Sequence, residues 1–191
     1  MNDLSLDTAR TALLIMDLQN GILARHPDGD AFVTGLVRAR EAARAAGMTI
    51  GYVRVALTPE EADHIPPTSR FASAAVRLDA DSPATQIDER LTPAPGEIVV
   101  RKQRVSAFGT TDLAEQLAER GIDTLVLAGL VTAGVVLSTI RDAADRDYRL
   151  VVLEDGCWDS DREVHRVLTE KVFPRSGATV TSIGDFTAAL A

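Results

Sequence analysis

The sequence predicts an α/β fold with a central, mostly parallel sheet that is covered by helices on both faces. Short continuous apolar runs, typical of strands buried on both faces, alternate along the chain with segments of helical periodicity. Residues 124–143 (TLVLAGLVTAGVVLSTIRDA) show this change of period most clearly, with the turn GLVTAG between strand and helix. In open α/β sheets such turns bind ligands, so we expect any chemistry to converge here.

The first part of the chain predicts two strands with a helix between them. Residues 11–16 (TALLIM) and 48–55 read as strands, and residues 31–46 are amphipathic. Gly47 suits the C-terminal cap of that helix. Between residues 58 and 95 six prolines break every periodic pattern, which predicts a long irregular excursion that serves as a lid or a pocket wall.

The second part of the chain continues the alternation. A helix at 112–120 has Thr110 or Thr111 as its expected N-cap and Gly121 at its C-cap. Pro174 is expected to stop the helix that begins at residue 162. The remaining expected strands are 97–100, 125–128, 149–153 and 179–182, and the remaining expected helices start near 132 and 186.

Length and composition fit one globular domain covering residues 1–191. The net charge of −8 and the scattered arginines argue against a nucleic-acid partner and against an anionic membrane surface. A single cysteine, Cys157, excludes an internal disulfide and favours a reducing, cytoplasmic setting. The N-terminal residues are polar and lack the apolar segment typical of a secretion signal, and no apolar run reaches membrane-spanning length, so we expect a protein that is neither exported nor embedded in a membrane.

Polar residues follow four of the expected strands at the edge where a site should form. They are Asp17, Lys102, Thr132, and Asp155 with Cys157. A carboxylate and a lysine at one partly buried site would hold each other charged and could transfer protons. The alternative is that Asp17 caps a turn and Lys102 is an ordinary surface charge.

Three segments in this order resemble the isochorismatase-like hydrolase superfamily. They are LLIMDLQNGI, VVRKQRVSAFGTTDLAEQLAERGIDTLVLAGLVT and STIRDAADRDYRLVVLEDG. The resemblance implies a Rossmann-like three-layer α/β/α sandwich, a small-molecule substrate, and a homodimer or higher homo-oligomer. It implies no cofactor.

The amidase branch of this superfamily uses an Asp–Lys–Cys triad, and two of its three positions match here. Asp17 matches the aspartate and Lys102 the lysine, but Val135 stands where the cysteine should be. A valine side chain cannot attack an amide. The isochorismate-cleaving branch also lacks the cysteine, and there the aspartate is thought to protonate a vinyl ether so that water can add.

The resemblance also implies a special turn after the central strand. Val131, Thr132 and Gly134 are expected to form it, with a cis peptide at Val131–Thr132 that aims backbone N–H groups into the site as an oxyanion hole.

Other side chains are weaker candidates. Gln19, Arg70, Phe71 and Arg104 are candidate substrate-binding residues, although these arginines, like Arg54, could equally be solvated or pair with another subunit. Cys157 as a nucleophile is disfavoured, because a lone cysteine beside Trp158 is more often a packed side chain. No metal site is expected, since Asp63 and His64 lack the second histidine of the nicotinamidases, and His165 stands alone.

The leading interpretation is a cysteine-free hydrolase that cleaves a C–O or C–N bond, vinyl-ether type favoured, by acid–base catalysis from Asp17 and Lys102. A second enzyme interpretation has Asp17 activate water against an ester, lactone or amide polarised by the turn. The alternative from another class is a pseudoenzyme that has lost its nucleophile and binds a small molecule or a protein partner.

Overall fold

A six-stranded, all-parallel sheet forms the centre of the molecule. The computed structural model describes residues 4–191, apart from the Val76 side chain, so residues 1–3 of the expected domain lie outside the described range. The strands are β1 (Thr11–Met16), β2 (Thr49–Val55), β3 (Ile98–Lys102), β4 (Thr124–Leu130), β5 (Arg149–Trp158) and β6 (Thr179–Thr181). Their order is β3-β2-β1-β4-β5-β6 and every pairing is parallel, which confirms the predicted α/β class.

Helices cover both faces of the sheet. They are α1 (Asn20–Leu23), α2 (Gly29–Ala45), α3 (Pro59–Asp63), α4 (Leu113–Glu119), α5 (Leu137–Ala144), α6 (Arg162–Val167), α7 (Phe173–Arg175) and α8 (Ile183–Ala189). Two π-helical turns, Thr132–Val136 and Leu168–Val172, lead into α5 and α7. One apolar core joins the sheet to α4 and α5, and a second joins the other face to α2 and α8. The fold is therefore the three-layer sandwich that the resemblance implied.

Several boundaries differ from the predictions for local physical reasons. Helix α2 starts before residue 31 because the Asp28 side chain accepts a hydrogen bond from the Ala31 N–H and caps it. The expected cap of α4 is also different, since Asp112 takes that place. The expected end of the last long helix at Pro174 is displaced by two residues: the proline lies in the first turn of α7, where a missing N–H costs little, and the helical structure ends at Arg175.

Strand β5 is longer than its apolar run suggested. The register between β4 and β5 shifts between Leu127 and Gly129, and the pairing then resumes with Gly129 opposite Cys157. Asp155 and Cys157 therefore lie within the strand, not after its end. The prediction of a strand ending at Leu153 is wrong. After the shift in register, the more polar residues that follow Leu153 still pair with β4.

The edge of the sheet near the C-terminal ends of β1 and β4 is unusually tight. A side chain at Gly129 would place its Cβ 2.3 Å from the carbonyl oxygen of Met16, so only glycine fits there. Asp17, the residue that follows β1, has a left-handed backbone with φ of 58° and donates its N–H to Val53 O at 2.7 Å. Such a backbone is uncommon outside glycine and is concentrated at functional positions.

The excursion between residues 58 and 95 is more ordered than its prolines suggested. It contains α3 and three short 3₁₀ turns. Thr58 and Glu61 form a capping box at the start of α3, and the Arg101 guanidinium binds the Glu61 carboxylate through two hydrogen bonds. This contact lowers the pKa of Glu61 to about 2. The excursion is therefore tied to the sheet at β3. Across residues 4–191, every helix is too short or too polar to cross a membrane.

Candidate active site

Asp17 and Lys102 meet at the C-terminal edge of the sheet. Their strands, β1 and β3, lie on either side of β2, so the lysine side chain reaches past the end of β2. Lys102 Nζ donates a hydrogen bond to Asp17 Oδ2 at 2.8 Å and lies 3.3 Å from the carbonyl oxygen of Arg104. Asp17 is 5% exposed and Lys102 is 1% exposed. The alternative in which Lys102 is a surface charge is therefore wrong.

The carboxyl group of Asp17 is only half satisfied. Oδ1 has no hydrogen-bond partner among the residues that the structure describes. Burial raises the pKa of Asp17 above its ordinary value, and the adjacent Lys102 ammonium opposes that rise without cancelling it. The result is a carboxyl group that can hold a proton more readily than a surface aspartate and has one oxygen available to exchange it.

The turn between β4 and α5 is held by two side chains from the segment after β5. Asp159 Oδ2 accepts a hydrogen bond from the Ala133 N–H at 2.9 Å. Thr132 Oγ1 is hydrogen-bonded to His165 Nδ1 at 2.8 Å, and Thr132 is fully buried. Burial lowers the pKa of His165, while Asp159 and Glu154 oppose that fall. This arrangement fixes the turn from outside the sheet.

The backbone of the turn differs from the expectation in two respects. The cis peptide lies at Leu130–Val131, so the predicted Val131–Thr132 position is wrong by one residue, because β4 continues through Leu130 and the turn starts directly after it. The Gly134 N–H donates to Val131 O at 3.0 Å, and the Ala133 N–H is taken by Asp159. Two of the amides of the turn are thus already used within the protein.

Val135 lies in the first apolar core and is 2% exposed. The hydroxyl of Thr139, one turn further along, accepts a hydrogen bond from the Ala107 N–H at 3.0 Å. That contact joins α5 to the segment that follows Lys102. The position that we predict to match the nucleophile of the amidase branch therefore holds a packed aliphatic side chain.

Gln19 joins three segments of backbone. Its Nε2 donates to Val55 O at 2.9 Å and to Thr85 O at 2.8 Å, and its Oε1 accepts from the Val55 N–H at 2.8 Å. Both amide protons are used, so the side chain ties β1 to β2 and to the excursion. If Gln19 binds substrate, it can contribute only the second acceptor position of Oε1, because its other hydrogen-bonding groups are already used.

The candidate arginines lie in different surroundings. Arg70 and Phe71 line a pocket of about 520 Å³, with the guanidinium carbon of Arg70 lying 6.0 Å from the centre of the Phe71 ring. Arg104 Nη1 donates to Gln103 O at 2.8 Å. Arg54 donates to Ala80 O and Thr85 O, and its burial lowers its pKa. Only Arg70 and Phe71 of this group border the pocket.

Cys157 and the residues near His64 offer little chemistry. Cys157 is buried, and burial raises the pKa of its thiol to about 12. His64 Nδ1 donates to Glu60 O at 2.7 Å, which uses one ring nitrogen within α3. Within residues 4–191 no three histidine, cysteine or acidic side chains come together as metal ligands would. Asp63 and His64 belong to no such cluster among the described residues.

Asp159 and His165 are the site residues that the sequence did not reveal. Both follow β5, about thirty positions after the turn they contact, as the hydrogen bonds from Asp159 to Ala133 and from His165 to Thr132 show. Neither belongs to a recognisable spacing pattern. The only available signal was their position after a strand that neighbours β4, the same signal that identified Asp17 and Lys102.

The sequence matches the isochorismatase domain over residues 11–185. An uncharacterised isochorismatase family protein of Escherichia coli O157:H7, YecD, is 34% identical over 98% of this chain and 100% of its own length. The ureidoacrylate amidohydrolase RutB of Methylobacterium radiotolerans is 32% identical over 85% of this chain and 73% of its own. A solved isochorismatase family protein of Burkholderia thailandensis superposes with a TM-score of 0.83, 29% identity and 97% coverage of both chains.

Proposed function

Because this chain belongs to the isochorismatase family, we propose that it is a hydrolase of a small metabolite that works by acid–base catalysis from Asp17 and Lys102 without a cysteine nucleophile. The observation that carries the proposal is the buried Asp17–Lys102 pair, in which Asp17 Oδ1 has no partner among the described residues. An ion pair kept only for stability would be expected to satisfy both carboxylate oxygens.

The electrostatics of the pair suit a general acid. Burial raises the pKa of Asp17, which keeps a proton on the carboxyl at higher pH. When that proton moves to the terminal carbon of a vinyl ether, the neighbouring carbon that bears the oxygen becomes an oxocarbenium ion and Asp17 becomes a carboxylate. Lys102, 2.8 Å away, then stabilises the new negative charge. Water adds to the oxocarbenium carbon, and the resulting hemiketal breaks down to a ketone and an alcohol while a proton returns to Asp17.

The turn favours this route over direct attack of water on an amide. Attack on a carbonyl requires N–H donors for the developing oxyanion. Two candidate donors, the Ala133 and Gly134 amides, are already hydrogen-bonded to Asp159 and Val131. Protonation of a vinyl ether forms no oxyanion, so this reaction does not require free N–H groups in the turn. Hydrolysis of an amide such as ureidoacrylate, the substrate in the name of one relative, is the second enzyme candidate.

The pseudoenzyme alternative rests on a specific observation of its own. Asp17, Lys102 and Val135 are each at most 5% exposed, so a substrate can reach the pair only after neighbouring side chains move. A family member without catalytic activity would not need its side chains to move in order to expose the Asp17–Lys102 pair. We expect the protein to act in the cytoplasm as a homodimer or larger assembly, as members of the family often do, with no cofactor.

A substrate screen tests the proposal. The wild type, Asp17→Asn and Val135→Cys would be assayed on isochorismate, ureidoacrylate, nicotinamide, N-carbamoyl compounds and simple lactones. We expect wild-type turnover that is lost in Asp17→Asn. A silent wild type beside an active Val135→Cys variant would instead support the pseudoenzyme, because it would mean that only the nucleophile is missing.

A further inference from the structure

Three arginines surround one pocket at the C-terminal edge of the sheet. Arg25 follows α1, and Arg70 and Arg77 belong to the excursion after β2; all three line the pocket of about 520 Å³. Among the residues that the structure describes, no aspartate or glutamate lines this pocket. Among residues 4–191 none of the three guanidinium groups forms an ion pair within 4.0 Å. The pocket therefore brings together three guanidinium groups that are exposed to solvent and have no carboxylate partner among the described residues.

This concentration runs against the composition of the chain. Acidic residues exceed basic ones by eight, and the other arginines near this edge have structural partners. Arg101 binds Glu61 with two hydrogen bonds, and Arg54 donates to backbone carbonyls of the excursion. Like charges that share a pocket repel one another, and a bound anion relieves that repulsion.

The pocket also has an apolar wall. Ile22, Phe71 and Leu78 line it together with small side chains. Guanidinium groups bind carboxylates through paired hydrogen bonds, and an aliphatic or aromatic wall binds the hydrocarbon part of a ligand. A pocket with both guanidinium groups and an apolar wall favours a ligand that has both a carboxylate and a hydrocarbon part.

We propose that this pocket binds a small organic acid with one or two carboxylates on an apolar or planar body, held by Arg25, Arg70 and Arg77 and packed against Phe71. Identifying this acid with the substrate rests on the proposed function. Gln19 lines the pocket and follows Asp17 by two residues, and Val55, which also lines it, is paired with Lys102 between β2 and β3, so the pocket adjoins the segments that carry the Asp17–Lys102 pair.

Isothermal titration calorimetry on the full chain tests the binding. The probes are phthalate, benzoate and benzamide, which carry two carboxylates, one, and none on the same ring. We expect the affinity to fall in that order, and to fall by about tenfold for phthalate in Arg70→Gln/Arg77→Gln. Arg175→Gln, an exposed arginine outside the pocket, is the matched control and should bind phthalate like the wild type.

Three results would overturn this inference: benzamide binding as tightly as benzoate, an unchanged phthalate affinity in the double arginine variant, or no saturable binding of either acid at millimolar concentration. Asp17→Asn separates the pocket from the reaction, since it should bind phthalate normally even though it cannot turn over a substrate. Normal binding with a wild type that hydrolyses nothing would leave the pocket established and the hydrolase proposal refuted.

Discussion

Lys102 Nζ lies 2.8 Å from Asp17 Oδ2, whereas Oδ1 of the same carboxyl has no partner within residues 4–191. The two side chains come from strands separated by β2, and both are nearly fully buried. Taking two charges out of water is costly, and the cost is best offset when every oxygen and proton is hydrogen-bonded. Asp17 Oδ1 is therefore a buried oxygen that remains free to accept a proton or a hydrogen bond among the described residues.

The pair should be strongly coupled in stability measurements. Lys102→Met leaves a buried carboxyl without its cation and should lower the free energy of unfolding by about 3–5 kcal/mol at neutral pH. Asp17→Asn/Lys102→Met removes both charges, so its loss should be smaller than the sum of the two single losses by at least about 1 kcal/mol. Urea denaturation of the four proteins measures the coupling. Additive losses would show that the two charges do not interact.

Asp159 should stabilise the turn through the Ala133 N–H. Asp159→Ala removes the acceptor 2.9 Å from that amide, and we expect a loss of about 1 kcal/mol in the free energy of unfolding, a small value because Ala133 is exposed. Ser160→Ala, at the neighbouring exposed position, serves as the control and should stay within about 0.5 kcal/mol of the wild type. Equal urea midpoints for the two variants would mean that the bond contributes nothing.

His165 should make stability depend on pH. Burial lowers its pKa, so the unfolded chain takes up the proton first as the pH falls below 6.5. The free energy of unfolding should then decrease as the pH falls from 6.5 through the lowered folded value. In His165→Gln this part of the pH dependence should vanish, while any contribution of His26 remains in both proteins. Parallel stability curves for wild type and variant would contradict the shift.

Cys157 should be chemically silent in the folded protein. Its thiol is buried and has a pKa of about 12, so almost no thiolate forms near neutral pH. Iodoacetamide should therefore label it only after unfolding in urea, as intact-mass spectrometry would show, and Cys157→Ala should keep the wild-type activity. Labelling of the native protein at the rate of an exposed cysteine would restore Cys157 as a candidate nucleophile.

The sequence was sufficient to predict the sheet and the proximity of Asp17 and Lys102. The six apolar runs lie in parallel strands, because such runs can only be buried by helices on both faces. Asp17 and Lys102 could be placed together because the C-terminal ends of parallel strands meet at one edge. Both residues are polar side chains directly beside that edge, and this is what made them recognisable.

The rest of the site depends on contacts that no local pattern encodes. Asp159 and His165 reach the turn because β5 continues beyond its apolar residues. That continuation depends on the shift in register between β4 and β5 near Gly129. The three hydrogen bonds of Gln19 likewise depend on where the excursion returns to the sheet. Periodicity predicts which face of an element is buried, but not which distant backbone group a loop side chain will meet.

The most direct test of the account compares the pH dependence of kcat/KM with the ¹³C NMR titration of the Asp17 carboxyl, using the first substrate that the wild type hydrolyses. We predict that both experiments report the same pKa, above the ordinary aspartate value of 3.8, and that activity falls as this group loses its proton. Asp17→Asn, folded by circular dichroism, should lose at least about a hundredfold in kcat/KM. Undiminished turnover by Asp17→Asn, or a rate profile that ignores the Asp17 titration, would contradict acid catalysis by this residue.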